Sequence, residues 1–243
     1  GTCGNYDWFY RTYGGAYAMD LSLEFQDQRV DSNGNDYTDY DYIGITVWPA
    51  MTHTVSALLE LGLLTENDLV IAADGGVAHV EKLGIQPDVI LGDFDSLGSV
   101  PDAPNLHVVP VEKDDTDTML AVKTALDWGC GEVLIYGGTG GDRLDHTLAN
   151  LQSLLYLRRR GVRGWLYDRN FLWTAVENEA LTFRRTVENG LFSAFCLGDR
   201  AEGIDLEGFQ YSLQNGTLTP EFPLGVSNHM VGETLTVRVR SGA

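Results

Sequence analysis

The stretch Val-Ile-Leu-Gly-Asp-Phe-Asp-Ser, residues 89–96, joins a short apolar run to two carboxylates two positions apart. Such a run, bounded by glycine, predicts a buried strand. In extended backbone, positions i and i+2 point to the same side, so Asp93 and Asp95 would face one point just past the strand. Two close carboxylates repel each other, and the usual positive partner for an all-oxygen pair is Mg²⁺. The stretch therefore predicts a metal site, with an ordinary acidic loop as the alternative.

Three further apolar runs are followed by acidic or glycine-rich turns. They are 69–73 before Asp74-Gly75-Gly76, 106–111 before Lys113-Asp114-Asp115-Thr116-Asp117, and 133–136 before the glycine loop that leads to Arg143 and Asp145. Helical apolar spacing at 77–83, 118–128 and 146–160 separates the runs. This alternation predicts an α/β/α domain with a parallel sheet. Ligands of such sheets bind outside the carboxyl ends of the strands, where all four turns would lie.

The loop at 137–142 is a candidate phosphate-binding loop. Its glycines, among them Gly138, Gly140 and Gly141, would let backbone N–H groups approach an anion, and the following helix adds the positive end of its dipole. Arg143 suits a phosphate group, and Asp145 could orient that guanidinium or hold a substrate. A tight strand-to-helix turn and a solvated salt bridge are the alternatives.

Composition excludes some classes of protein. The 243 residues include 35 acidic and 16 basic ones, for a net charge of -19, which argues against a nucleic-acid-binding surface. No apolar run approaches the length of a membrane span, and no signal peptide is visible. Three distant cysteines without a C-x-x-C pair indicate neither a zinc site nor a disulfide framework, so we expect a cytoplasmic protein.

Three segments of different composition along the chain predict its domain organisation. Residues 1–41, rich in Tyr, Asp and Gly, would form an N-terminal arm or hairpin. Residues 42–163 would form the α/β domain. Short β-prone runs without helices, beginning near Trp165, predict a small antiparallel β-sandwich over 164–243. Since the chain begins with Gly rather than Met, we expect a fragment or a processed form.

The ordered combination of these motifs resembles thiamine pyrophosphokinases of the bacterial type. The motifs are Asp74-Gly75-Gly76, Gly92-Asp93-Phe94-Asp95-Ser96, Lys113-Asp114-Asp115-Thr116-Asp117, Gly138 to Asn150, Gly208 to Leu213, and Gly225-Val226-Ser227-Asn228. The resemblance runs from about Leu58 to Val239 and implies an α/β catalytic domain followed by a β-sandwich domain.

The resemblance implies a reaction and partners. The hydroxyl of thiamine would attack the β-phosphorus of ATP, so that a pyrophosphoryl group is transferred with Mg²⁺ and AMP leaves. It also implies a homodimer, with thiamine bound where the α/β domain of one subunit meets the β domain of the other.

Site residues follow from the same resemblance. Mg²⁺ would be held by Asp93 and Asp95 with Asp74 or Asp117, while Arg143 and Lys113 would neutralise the migrating group. Asp117 or Asp145 would take or orient the proton of the thiamine hydroxyl. The expected substrate-binding residues are Lys113, Thr116, Gly138, Gly140, Gly141, Ser227 and Asn228.

Two departures from the family pattern keep alternatives open. Residues 42–50 occupy the place of the first strand and its nucleotide-binding loop, but no glycine follows the strand. A non-catalytic thiamine- or nucleotide-binding protein is therefore one alternative, and the same fold acting on another alcohol acceptor is a second. The chain ends at Ala243, where family members continue, so we expect the closing strand of the β domain to be missing.

Overall fold

The computed structural model describes residues 68–94, 114–139, 143–167, 171–185 and 190–243, together with the backbone of three short strands at 23–25, 42–45 and 106–108. The chain divides into two compact units. The α/β unit is Tyr37–Thr174, and the β unit combines Gly1–Asp36 with Ala175–Ala243. The first strand along the chain, β1 (Leu23–Phe25), lies in the β unit.

A seven-stranded sheet forms the centre of the α/β unit. Its strands are β2 (Tyr42–Ile45), β3 (Leu69–Ala73), β4 (Val89–Gly92), β5 (Leu106–Val108), β6 (Glu132–Tyr136), β7 (Arg163–Tyr167) and β8 (Leu172–Trp173). They lie in the order β5-β4-β3-β2-β6-β7-β8, and every neighbouring pair is parallel except β7 with β8. Every residue of β3 and β4 is buried, as is typical of parallel strands covered on both faces. The predicted α/β class is confirmed.

The order of the strands reverses between β2 and β6. Strands β3, β4 and β5 follow β2 outward on one side, whereas β6 and β7 extend on the other. In open parallel sheets, ligands bind at the carboxyl edge where the order reverses. Gly137 follows β6 at that edge, and Asp74 and Asp93 follow β3 and β4.

Three helices of the α/β unit lie among the described residues: α1 (Gly76–Lys82), α2 (Asp117–Asp127) and α3 (Leu144–Arg158). They match the predicted helical segments to within about two residues, as boundaries usually do. Helix α2 buries Ala121, Val122 and Ala125, so its apolar side is narrow and small-residue. None of the helices found in the described part of the chain is long and apolar enough to cross a membrane.

In the part of the β unit that the structure describes, the strands form two antiparallel sheets. Strands β9 (Ala180–Arg185), β10 (Leu191–Phe192), β11 (Ala201–Glu207), β12 (Leu213–Leu218), β13 (Asn228–His229) and β14 (Thr234–Arg238) follow in chain order. The larger sheet has the order β1-β9-β14-β11-β12, and β10 pairs with β13. Phe183, Leu235 and Val237 alternate with less buried residues and form its core with Phe209, whose ring meets that of Phe183 edge-on at 6.3 Å.

The division between the units differs from the expected boundary at 163/164. The sequence pattern predicts that the runs beginning at Trp165 and Phe171 belong to the β-sandwich, but β7 pairs in parallel with the whole of β6, and β8 extends the same sheet. The indole of Trp165 donates to Glu132 in β6 at 2.6 Å. An aromatic strand shows the same local sequence pattern in a parallel sheet and in an antiparallel one. The helix α3 that precedes β7 is what allows this strand to pair in parallel with β6.

The expected N-terminal arm also reaches the β unit. Strand β1 pairs antiparallel with β9, with Phe25 opposite Phe183. The rest of residues 1–41 lies outside the described residues, as does the segment after β2 in which the absence of a glycine was noted.

Candidate active site

Asp74 and Gly92 bring the ends of β3 and β4 into close contact. The backbone N–H of Asp74 donates to the carbonyl of Leu91 at 2.8 Å. A Cβ on Gly92 would lie 3.0 Å from Cα of Asp74, and Gly92 has a φ of +153°. A side chain at Gly92 would therefore displace the turn that carries Asp74. Asp74 itself has a φ of +44°, so its backbone is left-handed, unlike that of the extended strand before it.

Asp93 follows Gly92 directly and is half-buried. The next residue, Phe94, has a φ of +57° and is 2% exposed, so its ring is buried while its backbone is left-handed. Such a conformation is costly for a bulky residue and is found mostly at functional sites. Because Phe94 is not extended, the argument that Asp93 and Asp95 face the same side does not apply. Asp95 lies outside the described residues.

The donors at this edge suit Mg²⁺ in kind. Asp74 and Asp93 supply only carboxylate oxygens from neighbouring strand ends, and Mg²⁺ is usually bound through one or two carboxylates together with water and substrate phosphates. Within the described residues there is no group of three or more His, Cys, Asp or Glu side chains arranged to hold a metal ion. A metal site formed by Asp93 and Asp95 with Asp74 or Asp117 thus stays a prediction.

The start of helix α2 shows what Thr116 does structurally. Its hydroxyl accepts a hydrogen bond from the backbone N–H of Met119 at 3.1 Å and so caps the helix. Asp117 is the first helical residue, where the helix dipole favours a negative charge. Asp115 pairs with Lys123 at 2.6 Å, one of the contacts that tie this turn to the helix. Lys113 lies outside the described residues.

The start of the glycine loop is buried and is attached to α3. Gly137 has a φ of +74°, and both it and Gly138 are buried. The carbonyl of Gly138 accepts a hydrogen bond from Nδ2 of Asn150 at 2.7 Å. The predicted substrate-binding residues Gly140 and Gly141 lie outside the described residues.

Arg143 and Asp145 form a two-point ion pair at the start of α3. Nε and Nη2 of Arg143 donate to Oδ1 and Oδ2 of Asp145 at 2.9 and 2.7 Å. The hydrogen bonds from Arg143 hold the pKa of the Asp145 carboxyl well below its usual range and raise the pKa of the guanidinium. Both side chains are largely exposed, so solvent weakens the pairing. This contact is common to the orienting role expected for Asp145 and to its alternative, a solvated salt bridge.

Ser227 and Asn228 differ sharply in the β unit. Ser227 is exposed with a φ of +61°, and its backbone N–H donates to Oγ of Ser193 at 3.1 Å. Asn228 is 5% exposed, and its amide both accepts from the N–H of Tyr211 at 2.9 Å and donates to its carbonyl at 2.8 Å. Asn228 therefore clamps the backbone of Tyr211, a role that sequence reasoning missed.

Sequence reasoning also did not single out Asn150 or Phe94. Asn150 lies within the apolar helical pattern at 146–160, and only its polar side chain among apolar neighbours could have marked it. Nothing in the sequence indicates that Phe94 has a left-handed backbone, because phenylalanine rarely adopts one.

Two protein-family models match the chain. Thiamin pyrophosphokinase, catalytic domain, matches residues 61–166, and thiamin pyrophosphokinase, vitamin B1 binding domain, matches residues 180–243. A thiamine pyrophosphokinase of Bacillus subtilis (strain 168) is 30% identical over 176 residues, which cover 70% of this chain and 82% of that protein.

Solved structures agree with these matches. A crystal structure of thiamine pyrophosphokinase from Bacillus subtilis has a TM-score of 0.70 and 27% identity, and the match covers 83% of this chain and 95% of that chain. A thiamin pyrophosphokinase family protein from Enterococcus faecalis has a TM-score of 0.64 at 24% identity, with 84% and 95% covered, and supports the fold alone.

Proposed function

This chain belongs to the thiamine pyrophosphokinase family, and from that premise we propose a catalytic role for each part of the site. The chain is an enzyme that transfers the pyrophosphoryl group of ATP to the hydroxyl of thiamine, giving thiamine diphosphate and AMP. The thiamine oxygen forms a bond to the β-phosphorus while the bond from that phosphorus to the oxygen of the α-phosphate breaks. AMP leaves with that electron pair, and the hydroxyl proton passes to a carboxylate base.

Asp74 and Asp93 would hold Mg²⁺, together with Asp95. The observation that supports this proposal is the hydrogen bond from the N–H of Asp74 to Leu91, which joins two acidic strand ends at the carboxyl edge of the sheet. When bound, the ion would offset the charge of the phosphate oxygens, the main requirement of phosphoryl-type transfer.

Arg143 would neutralise the migrating group, with Lys113 as a second cation. Asp145 already receives two hydrogen bonds from Arg143, and its pKa is held low, so it is a poor proton acceptor. Its role is to orient the guanidinium. Of the two candidate bases, Asp117 is therefore the better one for the proton of the thiamine hydroxyl.

Ser227 would contact thiamine directly, whereas Asn228 would shape the pocket. The hydroxyl of Ser227 is exposed on a left-handed turn, but both ends of the Asn228 amide hold Tyr211. Thr116 would contribute to nucleotide binding indirectly, by capping helix α2. The glycines Gly138, Gly140 and Gly141 would approach its phosphates with backbone N–H groups.

A homodimer is part of the proposal. Two adjacent segments of the β unit, joined by a hydrogen bond from Ala194 to Gly225, expose large apolar side chains to solvent. These are Leu191, Phe195, Leu197, Phe222, Leu224 and Val226. A second copy of the chain is the occupant that we propose for this surface, and sedimentation velocity would show a dimer. We further propose a cytoplasmic location, which the free thiols of Cys130 and Cys196 support.

A direct assay tests the proposed function. Purified protein is incubated with ATP, thiamine and Mg²⁺, and AMP and thiamine diphosphate are measured by chromatography. We expect equal amounts of the two products, and none after Mg²⁺ is removed by a chelator. A folded protein that forms neither product would contradict the function, and unchanged rates in the chelator would contradict the metal.

A further inference from the structure

Asn150 is a buried polar residue beneath the glycine loop. It is 5% exposed and lies on the inner side of α3 with Ser153, Leu154 and Leu157. Its Nδ2 donates to the carbonyl of Gly138, twelve residues earlier in the chain, at 2.7 Å. A buried hydrogen bond of this kind is costly to lose, because the carbonyl would remain buried without its donor.

The packing around Gly138 leaves no room for a side chain. A Cβ on Gly138 would lie 2.4 Å from Cδ1 of Leu166 and 3.2 Å from Nδ2 of Asn150. The missing side chain of Gly138 is therefore what allows α3 and β7 to close on the loop. Asn150 then determines the direction of the Gly138 carbonyl.

The direction of one carbonyl determines the direction of the next N–H. In a trans peptide the carbonyl of Gly138 and the N–H of Thr139 point in opposite directions. Because the carbonyl of Gly138 points to Asn150 on α3, the donor side of this peptide, the N–H of Thr139, points away from α3. A reversed peptide would instead present a carbonyl oxygen, which repels an anion.

The position of this peptide in the sheet makes its orientation relevant to ATP. It follows β6, and β6 borders the point where the strand order reverses. That edge is where parallel sheets bind their ligands. Arg143, the cation proposed for the migrating group, precedes the same helix α3 that carries Asn150.

We propose that Asn150 is a positioning residue for ATP, which holds the Gly138–Thr139 peptide with its donor side toward the phosphate groups. It acts through Gly138 and does not touch the substrate. This proposal rests on the proposed function, since it concerns the same site.

The test compares two variants with a matched control. N150D keeps the size of the side chain but replaces the donor with an acceptor, and N150A removes the side chain. S153A is the control, because Ser153 is also buried on α3 and donates only to the carbonyl of Ala149 in its own helix, at 3.1 Å. For each protein, the KM for ATP, the KM for thiamine, kcat and the thermal midpoint are measured. Binding of a non-hydrolysable ATP analogue is measured by calorimetry without thiamine.

We expect N150D and N150A to weaken binding of the analogue and raise the KM for ATP by roughly tenfold, the effect of misplacing one hydrogen-bond donor. The KM for thiamine of both Asn150 variants should stay within twofold of the wild type. The kinetic constants and the analogue affinity of S153A should also stay within twofold of the wild type. A folded N150D with wild-type affinity for the analogue would overturn the proposal, as would an equal loss in S153A. Analogue binding does not require turnover, so it tests Asn150 even if the wild-type protein forms no thiamine diphosphate.

Discussion

Arg143 occupies both carboxylate oxygens of Asp145, two residues further along the chain, with hydrogen bonds of 2.9 and 2.7 Å. The pair spans the residue before α3 and the first turn of that helix. Because both oxygens accept from a cation, the pKa of Asp145 is held well below its usual range. Asp145 is therefore ionised throughout the neutral range and orients the guanidinium.

The first prediction concerns pH dependence. D145N should lower kcat by freeing Arg143 from its fixed orientation, but the acid limb of the pH profile should keep its midpoint, because Asp145 does not titrate there. E202Q is a matched control: Arg200 and Glu202 form another exposed pair at 2.6 Å, outside the α/β unit, and its loss should leave kcat unchanged. A profile that loses its acid limb in D145N would identify Asp145 as the base.

The pairing of Arg143 with Asp145 also determines the direction in which stability changes with pH. Since the pKa of Asp145 is lower in the folded protein, the stabilisation is present above the unfolded-state value of about 3.9 and is lost as the pH falls through the lower folded-state value. The difference in unfolding free energy between wild type and D145N should therefore shrink in acid. A difference that grows in acid would contradict this sign.

The second prediction concerns the acidic strand ends. D93N and D74N should each reduce kcat roughly 100-fold or more, because a metal clamp contributes several kcal/mol of transition-state stabilisation. They should also raise the Mg²⁺ concentration needed for half-maximal activity. D88N is the control, since Asp88 accepts from the N–H of Val70 at the start of β3, at the other edge of the sheet. Wild-type Mg²⁺ dependence in D93N would show that this carboxylate is structural.

The third prediction concerns the close contact at Gly92. G92A should lower the unfolding free energy by about 1–3 kcal/mol, because the new Cβ meets the backbone of Asp74 and the conformation is strained. It should also reduce activity, since the turn that carries Asp74 must move. G84A separates the two causes: Gly84 has a φ of +70° but open space around it, so only the conformational cost of about 1–2 kcal/mol applies. Chemical denaturation and the kcat of each variant provide the check.

The fourth prediction separates Ser227 from Asn228. N228A should lower the unfolding free energy by about 1–3 kcal/mol, because it leaves the N–H and carbonyl of Tyr211 without their partner. S227A should leave stability nearly unchanged and raise the KM for thiamine roughly three- to tenfold, the effect of one neutral hydrogen bond. An S227A enzyme with a wild-type KM, or an N228A protein of undiminished stability, would contradict these assignments.

Much of the α/β unit could be predicted from local pattern. Apolar runs at 69–73, 89–91 and 133–136 form strands, because parallel strands buried on both faces need continuous apolar sequence. Asp74 and Asp93 follow from the same pattern, since residues after parallel strands share one edge of the sheet. The opposite charges of Arg143 and Asp145 also allow the pairing that the structure shows.

Other features depended on contacts between distant segments. Trp165 belongs to the parallel sheet because β7 pairs with β6, which the aromatic content of the run does not indicate. Strand β1 joins β9 more than 150 residues away in the chain. The left-handed backbone of Phe94 removed the extended-chain reason for pairing Asp93 with Asp95.

The sequence by itself determined the class of the fold, the edge of the sheet that carries the chemistry, and the family to which the motifs belong. These depend on short-range periodicity and on motif order, which are written directly in the chain. Only the tertiary structure decided that Asn150 holds Gly138, that Asn228 clamps Tyr211, and where the chain divides into its two units. A buried polar group is assigned a partner only when packing brings distant segments together, so no local pattern can specify it.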